Sequence, residues 1–232
     1  MSNPISSSVN KSKEAAGSVA AQLVKDGMLV GLGTGTTAAY FINSLILRCR
    51  QGLKVTAVAT SKQSAELALK GGIPLLDVNS ISQIDLTVDG ADQINAQKTM
   101  IKGGGGALLR EKIIASSSRE MIVIVDETKL VDQFSGFPLP VEIVPFGYNM
   151  TLHKLKKLGY EGQLRENSEG SYFLTDNGNY IFDISFQGKI ENPLGEEEKI
   201  SKVPGVVTTG FFFNLAGRII IGFPDGTTEI RS

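Results

Sequence analysis

The sequence predicts an α/β protein: a mostly parallel sheet covered by helices on both faces, with a smaller α+β domain attached. Two observations carry this. Between residues 28 and 125, short strands that are apolar throughout alternate with segments whose apolar residues recur at helical spacing. Strands of that kind are buried on both faces, as a parallel sheet requires. After Phe137-Pro138-Leu139-Pro140 the texture changes to a β-α-β-β-α-β order, the split arrangement of small two-layer domains.

Ala16, Val19, Ala20, Leu23 and Val24 mark a first helix, ended by Asp26-Gly27. Residues 28–33 read as a strand, and Ala38, Phe41, Ile42, Leu45 and Ile46 form the buried stripe of the next helix. A strand at 55–59, a helix at 61–70 and strands at 73–78 and 84–88 follow, then a helix around Glu111 and a β-branched strand at 122–125. In the second part, 141–144 reads as a strand, 150–158 as a helix, 163–166 and 180–186 as strands, 196–202 as a helix and 205–212 as a strand. The stretch 218–230 returns to the first domain. The division is a Rossmann-like domain of residues 1–133 plus 212–232, and a ferredoxin-like domain of residues 134–211.

Composition narrows the function. The 23 basic and 24 acidic residues nearly cancel, so neither a nucleic-acid nor a membrane field is implied. The one cysteine, Cys49, and the one histidine, His153, exclude a disulfide framework and the Cys- and His-based metal patterns. His153 stands among Lys154, Lys156 and Lys157 and reads as a surface residue. Residues 1–13 are rich in Ser and Asn without a hydrophobic signal core, and no apolar run is long enough to span a bilayer. The expectation is a soluble, cytoplasmic protein without a metal or cofactor.

Three loops follow strands, and in doubly wound sheets ligands sit at the carboxyl ends of the strands. Gly31-Leu32-Gly33-Thr34-Gly35-Thr36-Thr37 opens a helix, where backbone N–H groups and the helix dipole favour an anion. A dinucleotide fingerprint wants glycine where Thr36 stands, and no Walker lysine follows, so the hydroxyls of Thr34, Thr36 and Thr37 suit a single phosphate. A tight turn with threonine caps is the competing reading. Asp89-Gly90-Ala91-Asp92 places two carboxylates three residues apart, fit for moving protons on sugar hydroxyls, for binding a divalent metal, or for nothing more than a solvated turn. Lys129 lies in the third loop and alone reads as a surface lysine.

The segment Lys102-Gly103-Gly104-Gly105-Gly106 runs into a helix carrying Glu111. At about 100° per residue, Ala107, Leu108, Ile114 and Ala115 form one arc with Glu111 in its middle. A flexible glycine turn, with Glu111 paired to a neighbouring lysine or arginine on a solvated face, is the competing reading. The wheel argues against it, because Arg110 and Lys112 point to either side of the arc. A carboxylate among apolar groups has its charged form disfavoured. Such a group suits abstraction of a proton next to a carbonyl, and Lys102 with hydrogen-bond donors suits the enediolate that forms.

The sequence resembles the ribose-5-phosphate isomerase type A family over nearly its whole length. Six motifs carry the resemblance: residues 31–38 (Gly-Leu-Gly-Thr-Gly-Thr-Thr-Ala), 87–92 (Thr-Val-Asp-Gly-Ala-Asp), 102–105 with 110–114 (Lys-Gly-Gly-Gly and Arg-Glu-Lys-Ile-Ile), 137–141 (Phe-Pro-Leu-Pro-Val), 175–179 (Thr-Asp-Asn-Gly-Asn) and 204–207 (Pro-Gly-Val-Val). The resemblance implies metal-free interconversion of D-ribose 5-phosphate and D-ribulose 5-phosphate in the pentose phosphate pathway. It makes Glu111 the proton acceptor and gives Asp89 and Asp92 ring opening or hydroxyl orientation. Lys102 would stabilise developing charge. Thr34, Gly35, Thr36, Thr37, Asp89, Gly90, Ala91, Asp92, Lys102, Gly103, Gly104, Gly105 and Lys129 would contact substrate, with Lys13 a weaker match on the phosphate side. It also implies a homodimer, or a dimer of dimers, with the ferredoxin-like domain helping to build the contact. Two positions depart from the family pattern: Gln93 in place of an acidic residue, and Gly106 in place of alanine. A non-catalytic sugar-phosphate sensor and an aminosugar-phosphate deaminase are the competing functions on related folds.

Overall fold

The computed structural model describes residues 4–232. Helix α1 (Pro4–Leu23) leads into strand β1 (Leu29–Leu32), helix α2 (Thr36–Arg50), strand β2 (Thr56–Ala59) and helix α3 (Lys62–Lys70). Ser61 caps α3 by accepting the backbone N–H of Ser64, as serine at an N-cap does. Strands β3 (Leu86–Asp89), β4 (Gln93–Ile94) and β5 (Met100–Ile101) precede helix α4 (Leu108–Ser116) and strand β6 (Met121–Asp126). Next come β7 (Leu139–Ile143), α5 (Tyr148–Lys157), β8 (Glu161–Leu164), β9 (Tyr180–Ser185), α6 (Pro193–Ser201) and β10 (Val206–Thr209). The chain ends through β11 (Phe211–Phe212), β12 (Ala216–Gly222) and β13 (Thr228–Arg231).

Two compact units result. The first comprises Met1–Ala91, Arg110–Leu130 and Asn214–Ser232; the second comprises Asp92–Leu109 and Val131–Phe213. The chain therefore passes between units inside two of the motifs, at Ala91–Asp92 and Leu109–Arg110. Residues 92–109 belong to the second unit.

The first unit is built on a six-stranded sheet in the order β13-β12-β6-β3-β1-β2. Every pair is parallel except the β12–β13 hairpin at one edge. All six residues of β6 are buried, which explains its unbroken apolar run. Ala16 and Ala20 of α1 and Phe41 and Leu45 of α2 pack with Val30 and Leu32 of β1 in its core.

The second unit holds a four-stranded antiparallel sheet in the order β10-β7-β9-β8. Numbered by their own sequence these strands run 4-1-3-2, the ferredoxin-like topology. Val141, Phe182, Leu155 and Ile200 meet in its core.

Several expectations change in detail. Helix α1 begins far ahead of the apolar stripe that predicted it. The strand expected at 73–78 is a single parallel bridge between Ala57 and Leu75, because Pro74 has no N–H to continue a ladder. The hairpin strand expected at 163–166 lies at Glu161–Leu164. The strand expected at 205–212 divides at Gly210: β10 joins the four-stranded sheet, whereas β11 pairs with β5 in a separate three-stranded sheet, β11-β5-β4.

Candidate active site

In the first unit, four predicted residues or loops collect at the carboxyl end of the sheet. Gly33 directly follows strand β1, and a Cβ there would lie 2.1 Å from Asp89 Oδ1, so only glycine lets the two segments approach. The backbone N–H of Thr34 donates to Asp89 Oδ1 at 3.0 Å and that of Gly90 donates to the same oxygen at 2.7 Å. Asp89 is 1% exposed. Both threonine donors are engaged by the fold: the Thr34 hydroxyl also lies 2.6 Å from that of buried Thr60, which donates to the Leu32 carbonyl at 3.1 Å. Thr34 thus shapes the loop, leaving Thr36 and Thr37 more open to a ligand.

Gly35 has φ +100° and precedes α2 without any side-chain cap, and no acidic residue stands in the first turn. The helix N-terminus thus keeps the partial positive charge that an anion needs. Lys13, on α1, donates to Thr36 Oγ1 at 3.0 Å, which places a cation at this turn.

Glu111 lies in the first turn of α4 and is buried, with Ile113 half-exposed on the opposite face. Helix α4 feeds directly into β6, so its C-terminus is near the start of that strand and its N-terminal turn is near the strands' carboxyl ends. The close packing is visible at Gly31, where a Cβ would fall 2.0 Å from Thr87 Oγ1 and 2.9 Å from Ile114 of α4. Lys129 closes the short turn Glu127–Lys129 after β6. Buried Asp126 caps this turn by accepting the N–H and hydroxyl of Thr128.

In the second unit, the glycine run is moulded rather than loose. Asp92 donates its N–H to Ile101 O at 2.9 Å, and Gly104 donates its N–H to Asp92 Oδ2 at 2.8 Å. A Cβ on Gly104 would fall 2.6 Å from Asp92 Oδ1. Lys102 follows β5 directly, donates its N–H to Gly210 O at 2.9 Å, and holds Nζ 5.6 Å from the centroid of the Phe212 ring. It is 3% exposed. Gly103 has φ +111°, a conformation other residues rarely adopt.

Residues 56–226 match the family model of ribose 5-phosphate isomerase A (phosphoriboisomerase A). A ribose-5-phosphate isomerase A of Protochlamydia amoebophila is 54% identical over 220 residues, covering 95% of each chain. One of Thermoplasma volcanium is 52% identical, covering 93% of this chain and 90% of its own. The chain belongs to the ribose-5-phosphate isomerase A family. Solved structures agree with this: the ribose 5-phosphate isomerase of Plasmodium falciparum superposes with a TM-score of 0.92 at 36% identity, covering 96% of this chain and 98% of its own.

Against the ribose-5-phosphate isomerase A pattern, both departures have structural accounts. Gln93 donates its amide to Ser135 O at 2.7 Å, a bond that an acidic side chain would not make. Gly106 has φ +77°, and a Cβ there would meet the Phe173 ring at 2.5 Å, so glycine accompanies this placement of Phe173. Thr60, Asp126 and the Arg165–Asp183 pair support these loops without having been predicted. Thr60 and Arg165 act on backbone carbonyls 28 and 62 residues away, for which no local motif exists, whereas Asp126 caps the turn directly after it.

Proposed function

We propose that this chain interconverts D-ribose 5-phosphate and D-ribulose 5-phosphate with Glu111 as the base. The reaction belongs to the non-oxidative part of the pentose phosphate pathway. The observation that carries the assignment of the base is a buried carboxylate in the first turn of α4, at the carboxyl end of a parallel sheet. Glu111 removes the proton from C2 of the open-chain aldose, the electrons shift towards the C1 carbonyl, and an enediolate forms. A proton passes from O2 to O1, and the same carboxylic acid returns the first proton to C1, leaving a carbonyl at C2 and giving the ketose. A carboxylate shielded from water is suited to both transfers.

The other residues take supporting roles. The turn Thr34-Gly35-Thr36-Thr37, with Lys13 beside Thr36, binds the phosphate through backbone N–H groups and hydroxyls. Asp89 and Asp92 open the sugar ring and orient its hydroxyls. Lys102 offsets the charge that develops on the enediolate oxygens, and Gly90, Ala91, Gly103, Gly104, Gly105 and Lys129 complete the contacts. The chain acts in the cytoplasm as a homodimer, with the ferredoxin-like part contributing to the contact; light scattering of the purified protein tests the assembly.

The deciding experiment follows conversion of D-ribose 5-phosphate in excess EDTA by the wild type and by Glu111→Gln. The expected result is undiminished wild-type turnover and a loss of about 10²- to 10⁴-fold in the variant, with substrate still bound. A variant that keeps most of its turnover removes Glu111 from the role of base.

A further inference from the structure

Arg165 lies one residue beyond β8, and Asp183 lies diagonally across on β9, facing Gln163. The guanidinium grips both carboxylate oxygens, Nε to Oδ2 at 2.8 Å and Nη2 to Oδ1 at 2.6 Å. The two side chains are only 16% and 15% exposed. This pair closes within one hairpin, yet the remaining arm of the fork leaves the hairpin altogether. Nη1 donates to Gly103 O at 2.8 Å and to Gly104 O at 3.2 Å. The guanidinium carbon also sits 5.9 Å from the Phe173 ring, the ring that occupies the space a side chain at residue 106 would need. Phe173 is in turn fixed by donating its N–H to Arg165 O at 2.8 Å.

A run of four glycines has the largest conformational entropy to lose on ordering. Here the guanidinium holds two successive carbonyls of that run, and the Gly104 N–H of the same run holds Asp92. Lys102 is the residue immediately before it. A planar fork with fixed donors can bind a carboxylate on one side and two carbonyls on another; a lysine ammonium cannot hold all of these in one plane.

We propose that Arg165, braced by Asp183, is a positioning residue for the isomerisation. By fixing the carbonyls of Gly103 and Gly104, it sets where Lys102 and Asp92 present their side chains. This rests on the reading of Lys102 and Asp92 as residues that act on the substrate. It makes the ferredoxin-like hairpin part of the apparatus that tunes turnover, not only a structural layer.

The test uses the full-length enzyme with Arg165→Met, Arg165→Lys, Lys102→Met and Arg218→Met, measuring kcat, KM and inhibition by inorganic phosphate. Displacing a catalytic group by about 1 Å costs on the order of a hundredfold, so kcat of Arg165→Met should fall about 10- to 100-fold. Phosphate inhibition should stay at the wild-type level, because the phosphate turn lies in the other unit. Arg165→Lys keeps the charge and should still lose turnover; it also decides the matter if the methionine variant does not fold. Arg218→Met removes an equally bidentate pair, with Glu120 at 2.6 and 2.8 Å. It should lower the melting temperature with kcat unchanged, separating lost stability from lost positioning. Wild-type kcat in folded Arg165→Lys or Arg165→Met, with Lys102→Met inactive, overturns the positioning role alone. Full turnover in Lys102→Met overturns the reading of the loop beneath it.

Discussion

Thr34 and Asp89 are joined by a hydrogen bond from the Thr34 N–H to Asp89 Oδ1, across the gap between two parallel strands. The bond ties the turn proposed to bind the phosphate to the carboxylate proposed to handle the sugar ring, so under that proposal one contact registers both ends of the substrate. Gly33 permits it by leaving room for the Asp89 side chain. Gly33→Ala should therefore cost about 1–3 kcal/mol in stability through overpacking and lower kcat/KM as Asp89 is pushed aside. Urea unfolding together with steady-state kinetics checks both effects.

Lys13 reaches the turn proposed to bind the phosphate from a helix that precedes the sheet. Lys13→Met removes one charged donor, worth about 1.5–3 kcal/mol when it meets an anion. KM for D-ribose 5-phosphate should rise about tenfold or more, with kcat much less affected. The wild-type KM should also rise with salt concentration more steeply than that of the variant.

Gly106 and Phe173 occupy one space. Gly106→Ala alone should destabilise the second unit and reduce turnover. Adding Phe173→Leu should recover part of the loss, because the smaller side chain vacates the volume the new Cβ needs. Additive losses in the double variant would count against this coupling. The strain of a positive φ at residue 106 limits the recovery to a fraction.

Tyr160 donates to Glu196 Oε2 at 2.6 Å, and Lys199 meets the other oxygen at 2.9 Å. Burial pushes the Glu196 carboxyl up, but the hydrogen bonds from Tyr160 and Lys199 outweigh it and leave the group below its ordinary value. A lowered folded value means that the stabilisation is present above the unfolded carboxylate value and is lost as pH falls through the folded one. Tyr160→Phe should thus cost about 1 kcal/mol at neutral pH, and less once the carboxylate is protonated. Equal losses at both pH values, measured by urea unfolding, would contradict this.

Much of the sheet domain was legible because burial on both faces forces continuous apolar strands, and β6 shows it throughout. Glu111 was legible because a helix imposes its period on the sequence: one charged residue inside an apolar arc stands out. The three-stranded sheet was not legible, since strands of two residues such as β4 and β11 are too short to show any period. Arg165 and Asp183 were silent for another reason. They are 18 residues apart across a hairpin, and their register depends on a turn whose length the pattern alone does not fix. Glu111 announces itself to its neighbours in sequence, whereas Arg165 acts only on its neighbours in space.

Strand β12 lies between β6 and β13 in the main sheet, although it comes from the far end of the chain. During synthesis, β6 leaves the ribosome long before its partner, and one edge of the sheet waits open while the whole of 131–213 is made. All residues of the second unit have emerged by then, so the later part of the sequence can close before the earlier part does. An open strand edge that is apolar from Met121 to Val125 is a template for wrong pairing. The nascent chain is therefore most exposed to aggregation, and most in need of a chaperone, in the interval between β6 and β12.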